Sequence, residues 1–308
     1  MDAEQLQFSV KVSGQRLDKV IMSHVGNRFS RAQVQAFIKE GLVTVDGKAV
    51  KAGIKLKGGE QITITMPPRD ESRAVQPEAI PLTVLYEDDD LAVIDKPAGM
   101  VVHPGVGDEA STLVSAILAR WPQIAEMNIE PKRAGIVHRL DKGTSGLIII
   151  AKHDRARRQL AEQFQARTVE KSYLTLLERT PPTTTGRIEA PIARDPNQRK
   201  RMAVLRGGKP AISEYEVIDR DFLDDRVLVR VRLLTGRTHQ IRVHMAFIGC
   251  PIVGDAVYGF RKQRIKMKRQ FLHAARLCFD QPTTGERLCF DSPLPAGLQN
   301  ILEKLRPV

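Results

Sequence analysis

Between Pro67 and Pro81 the chain reads PPRDESRAVQPEAIP, with four prolines, a run of charges and no apolar periodicity. Proline lacks a backbone N–H and fixes φ, so neither a helix nor a central strand runs through such a stretch. The break divides 308 residues into a short and a long segment, each obliged to bury a core of its own. We expect a small domain over 14–66, a linker over 67–80 and a larger domain over 81–308.

Apolar residues make up 42% of the chain and charged residues 27%, a globular balance that excludes a disordered chain or a fibre. No apolar run approaches the ~20 residues of a membrane-spanning helix, and the opening MDAEQ lacks the basic start of a secretory signal. The expectation is a soluble, cytoplasmic protein with no membrane partner. Cys250, Cys278 and Cys289 are odd in number, far apart and never in a CxxC pair. Buried free thiols are therefore expected, not a disulfide framework or a zinc site.

Charge narrows the partner. The chain has 48 Lys and Arg against 36 Asp and Glu, a formal charge of +12. Arg261 to Gln270 (RKQRIKMKRQ) carries six basic residues and no acid, and Arg199-Lys200-Arg201 forms a second cluster. Such blocks neutralise phosphates and release counterions, which points to a nucleic acid, although a single-sign block can also be a solvated loop.

In the first segment Leu17, Val20, Ile21, His24 and Val25 recur at helical spacing. Ser30 is placed to cap a second helix carrying Val34, Phe37 and Ile38, which stops at Gly41. Residues 42–45 run into the tight-turn pair Asp46-Gly47, and 61–66 alternate as a half-buried strand should. Arg16, Lys19, Arg31 and Lys39 fall on the polar sides of the helices. The pattern, GQRLDKVI followed by SRAQVQAFIKEGLVTVDGKAVKAGIKLKGGEQITI, resembles the S4 RNA-binding domain. The resemblance implies a basic helical face that grips structured RNA by its shape and phosphates, with those four side chains as contacts.

Beyond the break, strands are expected at 83–86, 91–95, 146–151, 172–177 and 227–233, and helices at 111–121 and 154–165. Strands outnumber helices and do not alternate with them regularly, so the class is α+β with a mixed sheet. The densest polar constellation is RAGIVHRLDKGTSG over 133–146, which abuts the apolar run Leu147-Ile148-Ile149-Ile150. A loop feeding a buried strand is rigidly anchored and suits catalytic side chains. Asp141 is its candidate nucleophile or base; taken alone, such an aspartate more often caps its own turn.

This stretch resembles the signature of the RluA-type pseudouridine synthases, in which the aspartate after HRL is catalytic. Lys171-Ser172-Tyr173 matches the position of the family's active-site tyrosine, and LTGRTHQIRVH over 234–244 matches the motif bearing the basic partner of the aspartate. With DKPAG (95–99), VHPG (102–105) and PIVGD (251–255) the resemblance spans about residues 81–295. It departs at Gly143, where relatives more often carry an acidic residue. The resemblance implies isomerisation of uridine: the N-glycosidic bond breaks, the uracil turns, and a carbon–carbon bond forms to the same ribose. No cofactor is implied, in keeping with the lack of a phosphate-cradling loop or dinucleotide fingerprint.

The catalytic set is then Asp141, Tyr173 and Arg237. Arg237 holds Asp141 ionised and oriented, and Tyr173 stacks on the uracil. Arg139 fills the space left by the extruded base, and His138 helps to position the substrate. His103, Arg261 and Lys262 join the RNA contacts. Among S4-bearing members the arrangement implies large-subunit (23S) ribosomal RNA, free or in an assembling subunit, with helix 69 as the target and the enzyme as a monomer. The alternatives are other 23S uridines or a noncatalytic RNA-binding assembly factor. A metal enzyme built on His138, Asp141, His239 and His244 is disfavoured, because residues five apart on a helix point about 140° from one another.

Overall fold

The computed structural model describes residues 5–11, 13–25, 29, 31–65, 75–105, 110–127, 129–198, 201–263, 265 and 267–307. Ser30, the linker stretch 67–74, Arg199, Lys200, Arg264 and Lys266 lie outside them. The chain divides into two compact units, Met1–Ala74 with Asn128–Lys132, and Val75–Met127 with Arg133–Val308.

The first unit holds β1 (Gln5–Ser9), α1 (Leu17–Val25), α2 (Arg31–Lys39), β2 (Val43–Val45), β3 (Lys48–Ala49) and β4 (Gln61–Thr65). The strands pair antiparallel in the order β1-β4-β2-β3. Leu17 and Ile21 of α1 and Val34 and Ile38 of α2 pack with Val43, Ile62 and Ile64 of the sheet. These are the i, i+4 and i, i+2 spacings that put one stripe of each element inward. Asp46 and Gly47 both have positive φ, 49° and 75°, as the two-residue turn joining β2 to β3 requires. β1 begins before the expected domain start: of its five residues only Phe8 is fully buried, too faint an alternation to announce a strand.

The second unit is built on a nine-stranded sheet. In chain order it comprises β5 (Thr83–Glu87), β6 (Leu91–Lys96), α3 (Leu113–Arg120), β7 (Ser145–Ala151), α4 (Asp154–Ala166), β8 (Glu170–Leu177) and β9 (Thr185–Glu189). Then follow β10 (Ile192–Arg194), β11 (Met202–Val204), β12 (Ile212–Asp219), β13 (Val227–Leu233), α5 (Gln240–Phe247), β14 (Leu272–Asp280), β15 (Arg287–Asp291) and α6 (Ala296–Leu305). The sheet order is β5-β6-β7-β14-β8-β13-β12-β9, with β15 on β14. Among the described strands only β7 and β14 pair parallel, so the sheet is mixed and the class α+β. Residues 75–80 of the expected linker belong to this unit: the Glu78 carboxylate accepts from Ser111 N and Oγ.

β7 is the keel of the site. All seven of its residues are buried, with α4 packing Ala156 and Leu160 against Leu147 and Ile149. Gly146 (φ +109°) lets β7 start hard against β14, because a Cβ there would collide with the backbone of Ala274. β14 and β15 overturn one expectation. Cys278 and Cys289 stand directly opposite in the hairpin and are joined by a disulfide, leaving Cys250 as the free, buried thiol. Their pairing follows from hairpin register, which their spacing in sequence does not reveal. Among the described residues no helix is long and apolar enough to cross a membrane.

Candidate active site

The loop leading into β7 is tied on three sides. Gly99 N–H donates to Lys142 O (2.7 Å), Arg269 Nη1 to Gly143 O (3.0 Å), and Gln270 Nε2 to Thr144 Oγ1 (3.2 Å). Behind it the fully buried Lys96 donates to Pro97 O and Met100 O, which fixes the segment that reaches Lys142. Burial pushes the Lys96 ammonium down to about 8.

Asp141 does not spend its carboxylate on this turn. The turn closes through the main chain, Thr144 N–H to Asp141 O (3.0 Å). The side chain instead reaches a cleft of about 460 Å³ lined by Arg139, Asp141, Lys171, Tyr173, Arg237 and Arg242 among others. Oδ2 accepts from Arg242 Nη1 at 3.2 Å, while Oδ1 lies 4.0 Å from His239 Nε2, beyond a hydrogen bond, and is open to a ligand.

The basic partner of Asp141 is therefore Arg242, correcting the expectation for Arg237. Arg237 lines the same cleft, but its Nε donates to Pro210 O (3.0 Å) and its backbone N–H to Gln240 Oε1 (2.9 Å). The reason lies in the chain path. His239 is left-handed (φ 56°), so α5 begins only at Gln240 and turns Arg242, in its first turn, toward the loop. Arg242 is fixed from behind by Asp255, with Nε to Oδ2 at 2.7 Å and Nη2 to Oδ1 at 2.9 Å, a two-pronged pair. Asp255 also accepts from Val257 and Tyr258 N–H, and these bonds with the guanidinium hold its carboxyl below the usual range despite burial. A charge on the buried face of QIRVHMAF was the signal that could have found Arg242, since a buried guanidinium demands carboxylates.

Tyr173 sits on β8 opposite Val231 and Ala274, its ring buried and facing the cleft. Burial and the charge of Asp141 push its hydroxyl far above the usual range, so it is a neutral phenol at any working pH. His239 Nδ1 meets Tyr258 Oη at 2.8 Å, and that oxygen also accepts from Met202 N–H.

Two other histidines are held by the fold, His138 in the lining of the cleft and His244 away from it. His138, expected to position substrate, turns Nε2 to accept from Ile149 N–H (2.9 Å) and stacks on Phe164. Burial takes it down to about 3, so it is a neutral brace between the loop and β7. His244 is buried between Ser213 Oγ and Ala190 O. Among the described residues no group of three or more His, Cys, Asp or Glu is placed to share a metal ion.

The expected RNA contacts are distributed over both units. In the first, Lys19 and Lys39 are exposed, while Arg16 and Arg31 are exposed but share the buried Asp18, at 2.9 and 3.4 Å. In the second, Arg139 is exposed with Nη1 3.4 Å from His103 Nε2, and Arg261 and Lys262 are exposed.

Comparison with known proteins agrees with this geometry. Residues 90–247 match the RNA pseudouridylate synthase family and residues 15–62 the S4 domain. An uncharacterized RNA pseudouridine synthase of Bacillus subtilis, YlyB, is 42% identical over 99% of both chains. Ribosomal large subunit pseudouridine synthase D of Nitrosomonas europaea is 41% identical over 98% of this chain and 88% of its own. The solved structure of human RNA pseudouridylate synthase domain containing 1 superposes with a TM-score of 0.57 at 27% identity, covering 75% of this chain and 87% of that one. The chain belongs to the RNA pseudouridylate synthase family, and is an enzyme of that family with an S4 domain at its N-terminal end.

Proposed function

We propose that the protein isomerises specific uridines of large-subunit (23S) ribosomal RNA, in helix 69, with Asp141 as the reacting carboxylate. The observation that carries the reading is the open Oδ1 of Asp141. Arg242 holds the other oxygen, and the cleft also presents the aromatic face of Tyr173. The target is taken from relatives named for ribosomal large subunit RNA over nearly the whole chain.

In this mechanism the uridine leaves its stack and lies on the Tyr173 ring, with Arg139 at the mouth of the cleft taking its place. Asp141 Oδ1 either adds to the sugar or base or removes a sugar proton as the N1–C1′ bond opens. The uracil turns, C5 bonds to C1′ as the carboxylate is released or returns the sugar proton, the C5 hydrogen leaves as a proton and N1 gains one, so the product is an isomer and no second substrate is consumed. Arg242, backed by Asp255, keeps the carboxylate aimed through the cycle. The S4 domain supplies affinity and site choice through phosphate contacts. We place the enzyme in the cytoplasm as a monomer, acting on free RNA or an assembling subunit.

Mapping pseudouridines in 23S RNA from cells with and without the gene tests the target. Loss confined to helix 69 supports it. Loss at other positions redirects it, and no loss anywhere favours a binding factor.

A further inference from the structure

The lysines that come off the sheet beside the site are satisfied, with one exception. Lys96 donates to two carbonyls, and Lys152 to Glu87 and to Asp88 O. Lys171 is half-buried in the cleft wall; its Nζ lies over the Phe164 ring in a cation–π contact, 5.4 Å from the centroid, but among the described residues it has no hydrogen-bond acceptor or carboxylate. An ammonium carries three donors, and leaving them unused where water is partly excluded is costly. Burial pushes Lys171 down to about 8.

Its placement indicates what counter-charge it would take. Lys171 and Tyr173 are two apart on β8, so their side chains leave the same face of the sheet about 7 Å from one another. A base lying on Tyr173 carries its sugar-phosphate within reach of the neighbouring ammonium. The remaining charges of the cleft are Arg139, Arg167, Arg237 and the Asp141–Arg242 pair, so cations dominate around Lys171. A uracil carbonyl is neutral and would leave that excess uncompensated; a phosphate offsets it.

We propose that Lys171 is a phosphate-binding residue of the cleft, holding an anionic oxygen of the phosphate on the 5′ or the 3′ side of the extruded uridine. The assignment rests on the reading of this cleft as the uridine site. It makes Lys171 responsible for seating the nucleotide, and leaves the bond-making to Asp141.

The test uses the full-length enzyme and an RNA stem-loop containing the mapped target uridine, with its 5′ or its 3′ phosphate replaced singly by a neutral methylphosphonate. Lys171→Met is expected to raise KM for the unmodified RNA about tenfold or more with kcat within about threefold, and Lys171→Arg to recover most of the loss. One of the two methylphosphonates should cost the unmutated enzyme a similar factor and cost Lys171→Met nothing further; which one does so identifies the phosphate. Additive losses at both positions, or a Lys171→Met defect confined to kcat, would overturn the proposal, the latter pointing to contact with the uracil. An unmutated enzyme inactive on every large-subunit RNA would instead overturn the reading of the cleft itself. Circular dichroism of Lys171→Met, together with the Lys171→Arg result, separates a folding defect from a binding one.

Discussion

Arg242 links two carboxylates: its Nη1 meets Asp141 Oδ2 at 3.2 Å, and its Nε and Nη2 clasp Asp255 at 2.7 and 2.9 Å. Asp255 is fully buried, so the guanidinium both aims the carboxylate proposed to react and supplies the counter-charge of a structural one. Arg242→Met should therefore abolish turnover and also destabilise the fold by about 3–5 kcal/mol, the usual cost of stranding one member of a buried pair. Arg237→Met leaves that pair intact and should keep the fold's stability and measurable turnover. Urea unfolding alongside single-turnover kinetics checks both variants, and equal damage from the two would contradict the assignment.

A Cβ at Gly143 would lie 2.5 Å from Gln270 Oε1. Gly143→Glu should displace Gln270 from Thr144 and destabilise by about 1–3 kcal/mol, as overpacking does. Adding Gln270→Ala should recover part of the loss. The shift in urea midpoint measures it, and a Gly143→Glu protein of unchanged stability would show that Gln270 yields freely.

The cleft should be sensitive to alkaline pH. Burial holds Lys171 and Lys96 near 8, so each is charged below that pH in the folded protein and loses its proton as pH rises through it. Losing the Lys171 cation in the cleft weakens RNA binding, and losing the buried Lys96 cation loosens the segment that holds the loop, so kcat/KM should fall above about pH 8. His138 and His239 are held below their ordinary value and do not titrate in that window. Lys171→Arg stays charged, so the part of the fall due to Lys171 should vanish in it; an unchanged profile would assign the whole effect to Lys96.

Much of this was legible in the sequence, for definable reasons. The alternation in 227–233 and the apolar run after Gly146 have the periods of a half-buried and a fully buried strand, and both are strands in the structure. Asp141 and Tyr173 could be singled out because the stretches around them resemble the family's motifs; taken alone, the aspartate reads as a cap of its own turn. Arg242 could not be told from Arg237 by motif, because the choice depends on the left-handed turn at His239, a backbone detail with no one-letter signature. The Cys278–Cys289 bridge and the brace made by His138 depend on register and on a backbone N–H, both settled only when distant strands meet.

The first unit has its own core and sheet, and it exposes Lys19, Arg31 and Lys39 on its helices and Lys11, Arg16, Lys48, Lys51, Lys55 and Lys57 outside them. Removing residues 1–74 should leave a folded catalytic unit that binds ribosomal RNA more weakly, with a shallower dependence of log K on log salt, and modifies uridines less selectively. Filter binding across a salt series and pseudouridine mapping read both effects. A truncated protein with the same sites and the same salt slope would remove this unit from target selection. Arg16→Ala and Arg31→Ala are poor substitutes for the truncation, because each also removes one of the two guanidinium partners of the buried Asp18.

The central claim is that the open oxygen of Asp141 performs the chemistry while affinity comes from elsewhere. Asp141→Asn keeps the side chain's shape and removes its charge, and binding by many phosphate contacts should persist or rise slightly. The direct measurement is single-turnover tritium release from RNA labelled at uridine C5, with binding followed in parallel. The account predicts rapid release from the unmutated enzyme and none above background from Asp141→Asn at matched occupancy; release at the unmutated rate from Asp141→Asn would contradict it.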